Sequence, residues 1–172
     1  LAACTEPNIN VYLNDEKIDC KNFEKYVSYY LGDKKQYPRI YKQFNNRWEV
    51  VACISPNQKF EQVSFANGVS TIRGGKHVEY VSKQIVSKLK KYIEIKKKIK
   101  TLKSEHVKDN IMVFVKCSID GAAFDTQTKE CLTTTSGKFG SVCEIDDAFI
   151  QTLAEKCGVM EQVYNWHQVK SE

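Results

Sequence analysis

The sequence predicts a mixed α/β (α+β) fold, a sheet covered by helices. Three observations predict it. Trp48 to Ile54 and Ile111 to Ile119 are short apolar runs of strand character. Between them Val78, Val81, Ile85, Leu89 and Tyr92 recur at three- and four-residue steps, the period of a helix with one apolar face. The 172 residues, 42% hydrophobic and 27% charged, suit one globular domain, or one domain with a short preceding extension. A chain of this size holds a core without covalent staples.

The elements follow in order. Residues 9–13 (Ile-Asn-Val-Tyr-Leu) alternate as a strand does, and Asn14-Asp15 marks a turn. Asn22 precedes Phe23, Tyr26, Val27 and Tyr30 at helical spacing, so a helix is expected from there to Gly32. Residues 33–46, with Pro38 and many polar groups, are expected to form a connecting loop. Trp48 to Ile54 is a strand, Ser55-Pro56-Asn57-Gln58-Lys59 a turn, and Phe60 to Ala66 the second strand of an antiparallel hairpin. Asn67 to Gly75 bridges into the long helix, which is expected to fray somewhere after Ile93 because Lys96, Lys97 and Lys98 repel one another. Ile111 to Ile119, the most apolar strand, belongs at the centre of the sheet. Residues 120–140, with Gly121, Gly137, Gly140 and many threonines, form a long loop of the functional kind. Asp146 and Asp147 open a helix through Lys156, Gly158 interrupts it, and Val159, Val163 and Trp166 line a final one.

Composition narrows the function classes. No run of eighteen apolar residues occurs, so no membrane-spanning helix is expected. Leu1-Ala2-Ala3-Cys4 has neither the charged start nor the apolar stretch of a signal peptide, and reads as a cut through a longer protein. The seven cysteines (Cys4, Cys20, Cys53, Cys117, Cys131, Cys143, Cys157) form no C-x-x-C pair, so neither zinc nor a redox motif is supported. Reduced structural thiols in an intracellular compartment are expected. Net charge is +5, but Lys83, Lys88, Lys90, Lys91, Lys96, Lys97, Lys98, Lys100 and Lys103 crowd into one segment.

Three stretches carry candidate chemistry. In Ser64-Phe65-Ala66-Asn67-Gly68 through Thr71-Ile72-Arg73-Gly74-Gly75-Lys76-His77-Val78, a strand runs through two glycines into a helix. Glycines let another surface approach closely, and helix-start N–H groups can face an anion. The pattern alone favours a plain strand-to-helix turn with His77 capping or packing. In Phe124-Asp125-Thr126-Gln127-Thr128-Lys129-Glu130, Gln127 and Lys129 lie two apart, so in an extended segment they would reach phosphate oxygens from one side. The plainer reading is a solvated loop lysine. The lysine cluster is equally a phosphate-neutralising stripe for duplex DNA or a solubilising helix face. Ser136-Gly137-Lys138 lacks the glycine five positions before Gly137 that a phosphate loop needs. His77, His106 and His167 lie far apart, with no partner at ligand spacing, so no metal site is expected.

These residues resemble a family. Ser64 to Thr71 with Gly74-Gly75-Lys76-His77-Val78 is similar to the "SFvNxixTxxGGxHv" segment of type IIA DNA topoisomerases, and Gln127-Thr128-Lys129 to their "QTK" loop. Asn46-Arg47-Trp48-Glu49-Val50, Phe139-Gly140-Ser141 and Asn165-Trp166 resemble the eukaryotic type rather than bacterial gyrase. Val11-Tyr12-Leu13-Asn14 and Phe23-Glu24-Lys25-Tyr26-Val27 are similar to the stretch joining the ATPase domain to the transducer.

The resemblance implies a transducer with a fold like ribosomal protein S5 domain 2, helices on one face and a left-handed β-α-β crossover. Residues 1–45 would be the connecting segment from a GHKL ATPase domain and 46–172 the transducer. It implies ATP and Mg2+ in the parent enzyme, with Lys129 reaching the γ-phosphate, Gln127 and Thr128 beside it, and Mg2+ not held by this stretch. Implied partners are double-stranded DNA, contacted at Lys96, Lys97 and Lys98, the GHKL domain and cleavage core of the same chain, and a second copy in a homodimer. No membrane is implied, and in a eukaryote the location would be nuclear. No adenine pocket of the Bergerat type, ATP lid, TOPRIM acidic cluster or cleavage tyrosine is found, so this stretch alone is expected to be inactive. The alternatives are a transducer of another GHKL ATPase, or a stand-alone basic DNA-binding module.

Overall fold

The computed structural model describes residues 8–171. Cys4 and the start read as a cut lie outside them. The strand expected over 9–13 shortens to a small hairpin, β1 (Tyr12–Leu13) and β2 (Glu16–Lys17). Asn14 and Asp15 turn it with φ of 48° and 65°, values these two residue types tolerate. Helix α1 (Phe23–Leu31) starts where expected. Asn22 Oδ1 accepts from the Lys25 N–H at 2.8 Å, a cap worth about 1 kcal/mol.

The main sheet contains β3 (Arg39–Asn45), β4 (Trp48–Ile54), β5 (Glu61–Ala66), β6 (Val69–Ser70) and β7 (Ile111–Cys117). Its order is β3-β4-β7-β5-β6. Two expectations are corrected here. The loop expected over 33–46 contains an edge strand, β3, antiparallel to β4 with Tyr41 opposite Val51. Its polar positions Lys42 and Gln43 suit a strand paired on one side only. The expected β4–β5 hairpin does not form either. Strand β7 lies between them, antiparallel to β4 and parallel to β5. Ile111 to Val115 are all buried, and such a strand takes the position covered on both faces.

Alternation along the strands makes two apolar faces. Val50, Ala52, Val113 and Val115 face one way, and meet Val81, Ile85 and Leu89 of α2 (Lys76–Lys97) and Val107 of α3 (Ser104–Asp109). The same layer holds Phe149 and Ile150 of α4 (Asp147–Gln151), a following π-turn over Thr152–Lys156, and Val163 of α5 (Val159–Ser171). The helices after residue 46 therefore cover one face. The opposite face, with Val51, Cys53, Phe65, Met112 and Phe114, is covered by Phe23, Tyr26 and Val27 of α1. Residues before 46 thus supply both an edge strand and the third layer.

Helix α2 gives out after Ile93, within the lysine run, as expected. It continues to Lys97, with Lys98 closing it at φ 54°. Lys96 and Lys97, inside its last turn, each meet a carboxylate of a following helical segment, described below. Helix α4 is capped by Asp146, whose Oδ1 accepts from the Phe149 N–H at 2.8 Å. Gly158, at φ 77°, separates the π-turn from α5.

Candidate functional site

The approach to α2 is built around a buried polar chain. Ser64 on β5 points to the helical face, and its Oγ lies 2.6 Å from Thr71 Oγ1. Thr71 Oγ1 lies 3.0 Å from His77 Nε2, in the first turn of α2. All three are buried. Burial pushes the His77 pKa down to about 4, so the ring is neutral at physiological pH. The Ser-Thr-His pattern therefore locks strand to helix, the packing role that the pattern alone favoured for His77.

The two glycines explain themselves by what touches them. A Cβ on Gly75 would lie 2.4 Å from the Leu132 carbonyl oxygen and 2.5 Å from its nitrogen. Gly75 also has φ 135°, which side chains rarely adopt. The close approach admits a short ladder. The Leu132 N–H donates to the Gly74 carbonyl at 3.1 Å, and the Lys76 N–H donates to the Leu132 carbonyl at 2.9 Å. The first amide of α2 is thereby occupied by protein, so this N–H is not open to an anion as the sequence suggested.

The ladder carries the loop of the second motif. Phe124 and Leu132 bridge across its base, and the Lys129 N–H donates to the Thr126 carbonyl at 3.0 Å. Lys129 sits at φ 58°. The tip is a turn rather than an extended segment, so the shared-side argument for Gln127 and Lys129 does not hold. Gln127, Thr128 and Lys129 are exposed at this tip, and the Lys129 ammonium lies 5.8 Å from the Phe124 ring centroid. An exposed ammonium on a pinned turn can meet a phosphate oxygen.

Lys96, Lys97 and Lys98 stand at the other end of α2, roughly 33 Å away along a 22-residue helix. Lys96 pairs with Glu155 at 3.5 Å and Lys97 with Glu161 at 2.5 Å. Their ammonium groups also lie 5.5 Å from the Tyr92 ring and 4.8 Å from the Tyr164 ring. The Tyr92 hydroxyl, ahead of Gln151 and Lys96, holds Glu155 below its usual range. Lys98 is exposed. The structure thus does not gather the three lysines into one site with the Gln127–Lys129 turn.

Sequence reasoning missed Arg73, Asp125, Glu155 and Glu161 as partners of these groups. Arg73 and Asp125 stood inside the quoted motifs, but no local spacing rule joins positions 52 apart.

Fold and site together define a sheet-and-helix domain whose exposed lysine turn is pinned to a Gly-Gly strand-to-helix joint. A family model described as DNA gyrase B matches residues 22–172, and the chain belongs to that family. It is 39% identical to DNA topoisomerase 2 of Arabidopsis thaliana, over 99% of this chain and 12% of that protein. Its fold matches the ATPase region of Saccharomyces cerevisiae topoisomerase II with a TM-score of 0.84 and 36% identity, covering 95% of this chain and 43% of that one. It also matches the ATPase and transducer domains of DNA topoisomerase II from Balamuthia mandrillaris with a TM-score of 0.88 and 32% identity, covering 99% of this chain and 42% of that one. The chain thus spans about 12% of the curated relative and less than half of each solved chain.

Proposed function

We propose that this chain is the transducer segment of an ATP-dependent type IIA DNA topoisomerase, relaying ATP binding and hydrolysis to strand passage. The observation that carries the reading is the exposed Gln127–Lys129 turn hung on the Gly74–Gly75 joint. In the parent enzyme Lys129 contacts the γ-phosphate, with Gln127 and Thr128 beside it. Bound ATP would supply the phosphoryl group and Mg2+ the positive charge that neutralises its oxygens, both held mainly by a GHKL domain outside this chain. This chain's part is a single ammonium, which stabilises charge as the phosphoryl group leaves. A homodimeric parent, duplex DNA as its partner and a nuclear location in a eukaryote belong to the same reading. The transducer would then begin at Arg39 rather than residue 46, because β3 is part of its sheet.

Lys129→Ala in the full-length protein tests this. ATPase turnover should fall on the order of a hundredfold, about 3 kcal/mol, with nucleotide affinity less affected. Gln127→Ala should do less, because a neutral donor bonds more weakly than a charged one. The 172-residue chain by itself should release no phosphate above buffer background, with or without DNA. Unchanged turnover in the lysine variant would refute the assignment.

A further inference from the structure

We propose that Asp125 and Arg73 are positioning residues for Lys129, fixing both legs of its turn to the start of α2. The proposal rests on the reading of Lys129 as a γ-phosphate contact. Asp125 stands at the base of the turn. Its Oδ2 accepts from Arg73 Nη1 at 3.1 Å, and its Oδ1 accepts from the Cys131 N–H at 3.1 Å and the Thr126 hydroxyl at 3.4 Å. Its own N–H donates to the Cys131 carbonyl at 3.1 Å. One carboxylate therefore joins the incoming leg, the outgoing leg and the segment that leads into α2.

Arg73 holds the turn from that segment at two points. Its guanidinium takes Asp125 on the incoming leg, and its N–H donates to the Glu130 carbonyl on the outgoing leg at 3.0 Å. A single attachment would fix the distance of the turn and leave it free to swing. Two attachments on opposite legs fix its orientation as well. Inside the turn, Thr126 and Thr128 hydroxyls lie 2.9 Å apart and Lys129 takes its left-handed φ, so the backbone that carries the Lys129 side chain has little freedom between the legs. Arg73 leads directly into Gly74 and Gly75, so the same few residues set the turn and begin the helix. The chemistry needs this because an ammonium stabilises a shifting charge only from a defined place, and a misplacement of about 1 Å can cost a hundredfold in rate. The Arg73 side chain is 61% exposed and that of Asp125 25%, so the ionic part of the link is open to screening by salt.

The experiment uses the full-length protein. Asp125→Ala should lower ATPase kcat about tenfold, a partial loss of positioning, and leave KM within about twofold. Arg73→Ala should lower kcat only about threefold, because residue 73 keeps its backbone bond to Glu130, and Arg73→Lys should restore most of the loss by returning a cation to Asp125. Without nucleotide, amide hydrogen exchange across residues 124–132 should rise in Asp125→Ala while α2 stays protected. On a Lys129→Ala background, Asp125→Ala should lower kcat no further. Asp125→Asn, which keeps the shape and removes the charge, repeats the comparison if the alanine variant fails to fold. A large loss in Lys129→Ala with none in the Asp125 variants, or an equal further loss on the Lys129→Ala background, overturns the proposal alone. Unchanged turnover in Lys129→Ala overturns it together with the reading beneath it.

Discussion

The two ends of helix α2 are held by different forces. At its first turn the helix is tied to the 124–132 loop by backbone hydrogen bonds, made possible by a glycine with no room for a Cβ. At its last turn it is tied to the π-turn and α5 by lysine–glutamate pairs. The backbone bonds at the first turn are short-ranged, indifferent to salt and intolerant of substitution. The lysine–glutamate pairs are exposed, open to screening and easily exchanged for another anion. One end suits holding a group in place, the other suits releasing a partner.

The largest effect should come from breaking the first end. Gly75→Ala places a methyl group within 2.9 Å of three Leu132 backbone atoms at φ 135°, so the ladder must part. The chain should lose at least about 3 kcal/mol in urea unfolding, from backbone strain and the lost bonds together. Gly74→Ala meets the Gln62 side chain at 3.4 Å and mainly carries the cost of a positive φ, about 1 kcal/mol. Equal losses in the two variants would mean that the close approach does not matter.

A second prediction uses pH on the same end. His77 has a folded pKa near 4, against an ordinary value of 6.5, because burial disfavours the charged ring. The unfolded chain therefore takes up a proton first as pH falls. Stability is fully present above about pH 6.5 and declines toward pH 4, by about 2 kcal/mol at pH 5 for this group. His77→Gln should be less stable at pH 7.5 and show a shallower decline between pH 6.5 and 5. A wild-type curve flat over that range would remove His77 as a buried neutral group.

Much of this was readable in the sequence, and the reasons differ by element. Asn22 and Gly32 bracket α1 because capping is local chemistry, and the apolar period of α2 is strong over four turns. Strand β3 was hidden because an edge strand shows weak alternation, and Pro38 with Lys42 and Gln43 reads as loop. The β4–β5 hairpin was expected because Ser55 to Lys59 has turn chemistry, and nothing within residues 48–66 reports a strand from residue 111 entering between them. The glycine pair and the Gln-Thr-Lys turn stood out through a family resemblance. Their mutual contact, Gly75 against Leu132, is a long-range fact that no window of the sequence contains. The same applies to the glutamates that hold Lys96 and Lys97.

Those glutamates sharpen the last and smallest prediction, on the far end of α2. If Lys96, Lys97 and Lys98 each met one phosphate of a duplex, replacing all three would flatten the dependence of log affinity on log salt by up to about 3 units. The ion pairs change that expectation. Lys96 and Lys97 must leave Glu155 and Glu161 before meeting DNA, so their gain is partly cancelled, whereas Lys98 is exposed without such a cost. Lys98→Ala should therefore reduce the slope by about 0.9, nearly the full value for one phosphate. Lys96→Ala and Lys97→Ala should each reduce it by less. Glu161→Gln should strengthen binding, because it frees Lys97 and removes a negative charge from the same surface. Fluorescence anisotropy with a short duplex at several salt concentrations measures all four variants. A solvated helix face with no DNA role predicts one unchanged slope throughout, and that result would leave α2 with a working end at Gly75 and an ordinary one at Lys98.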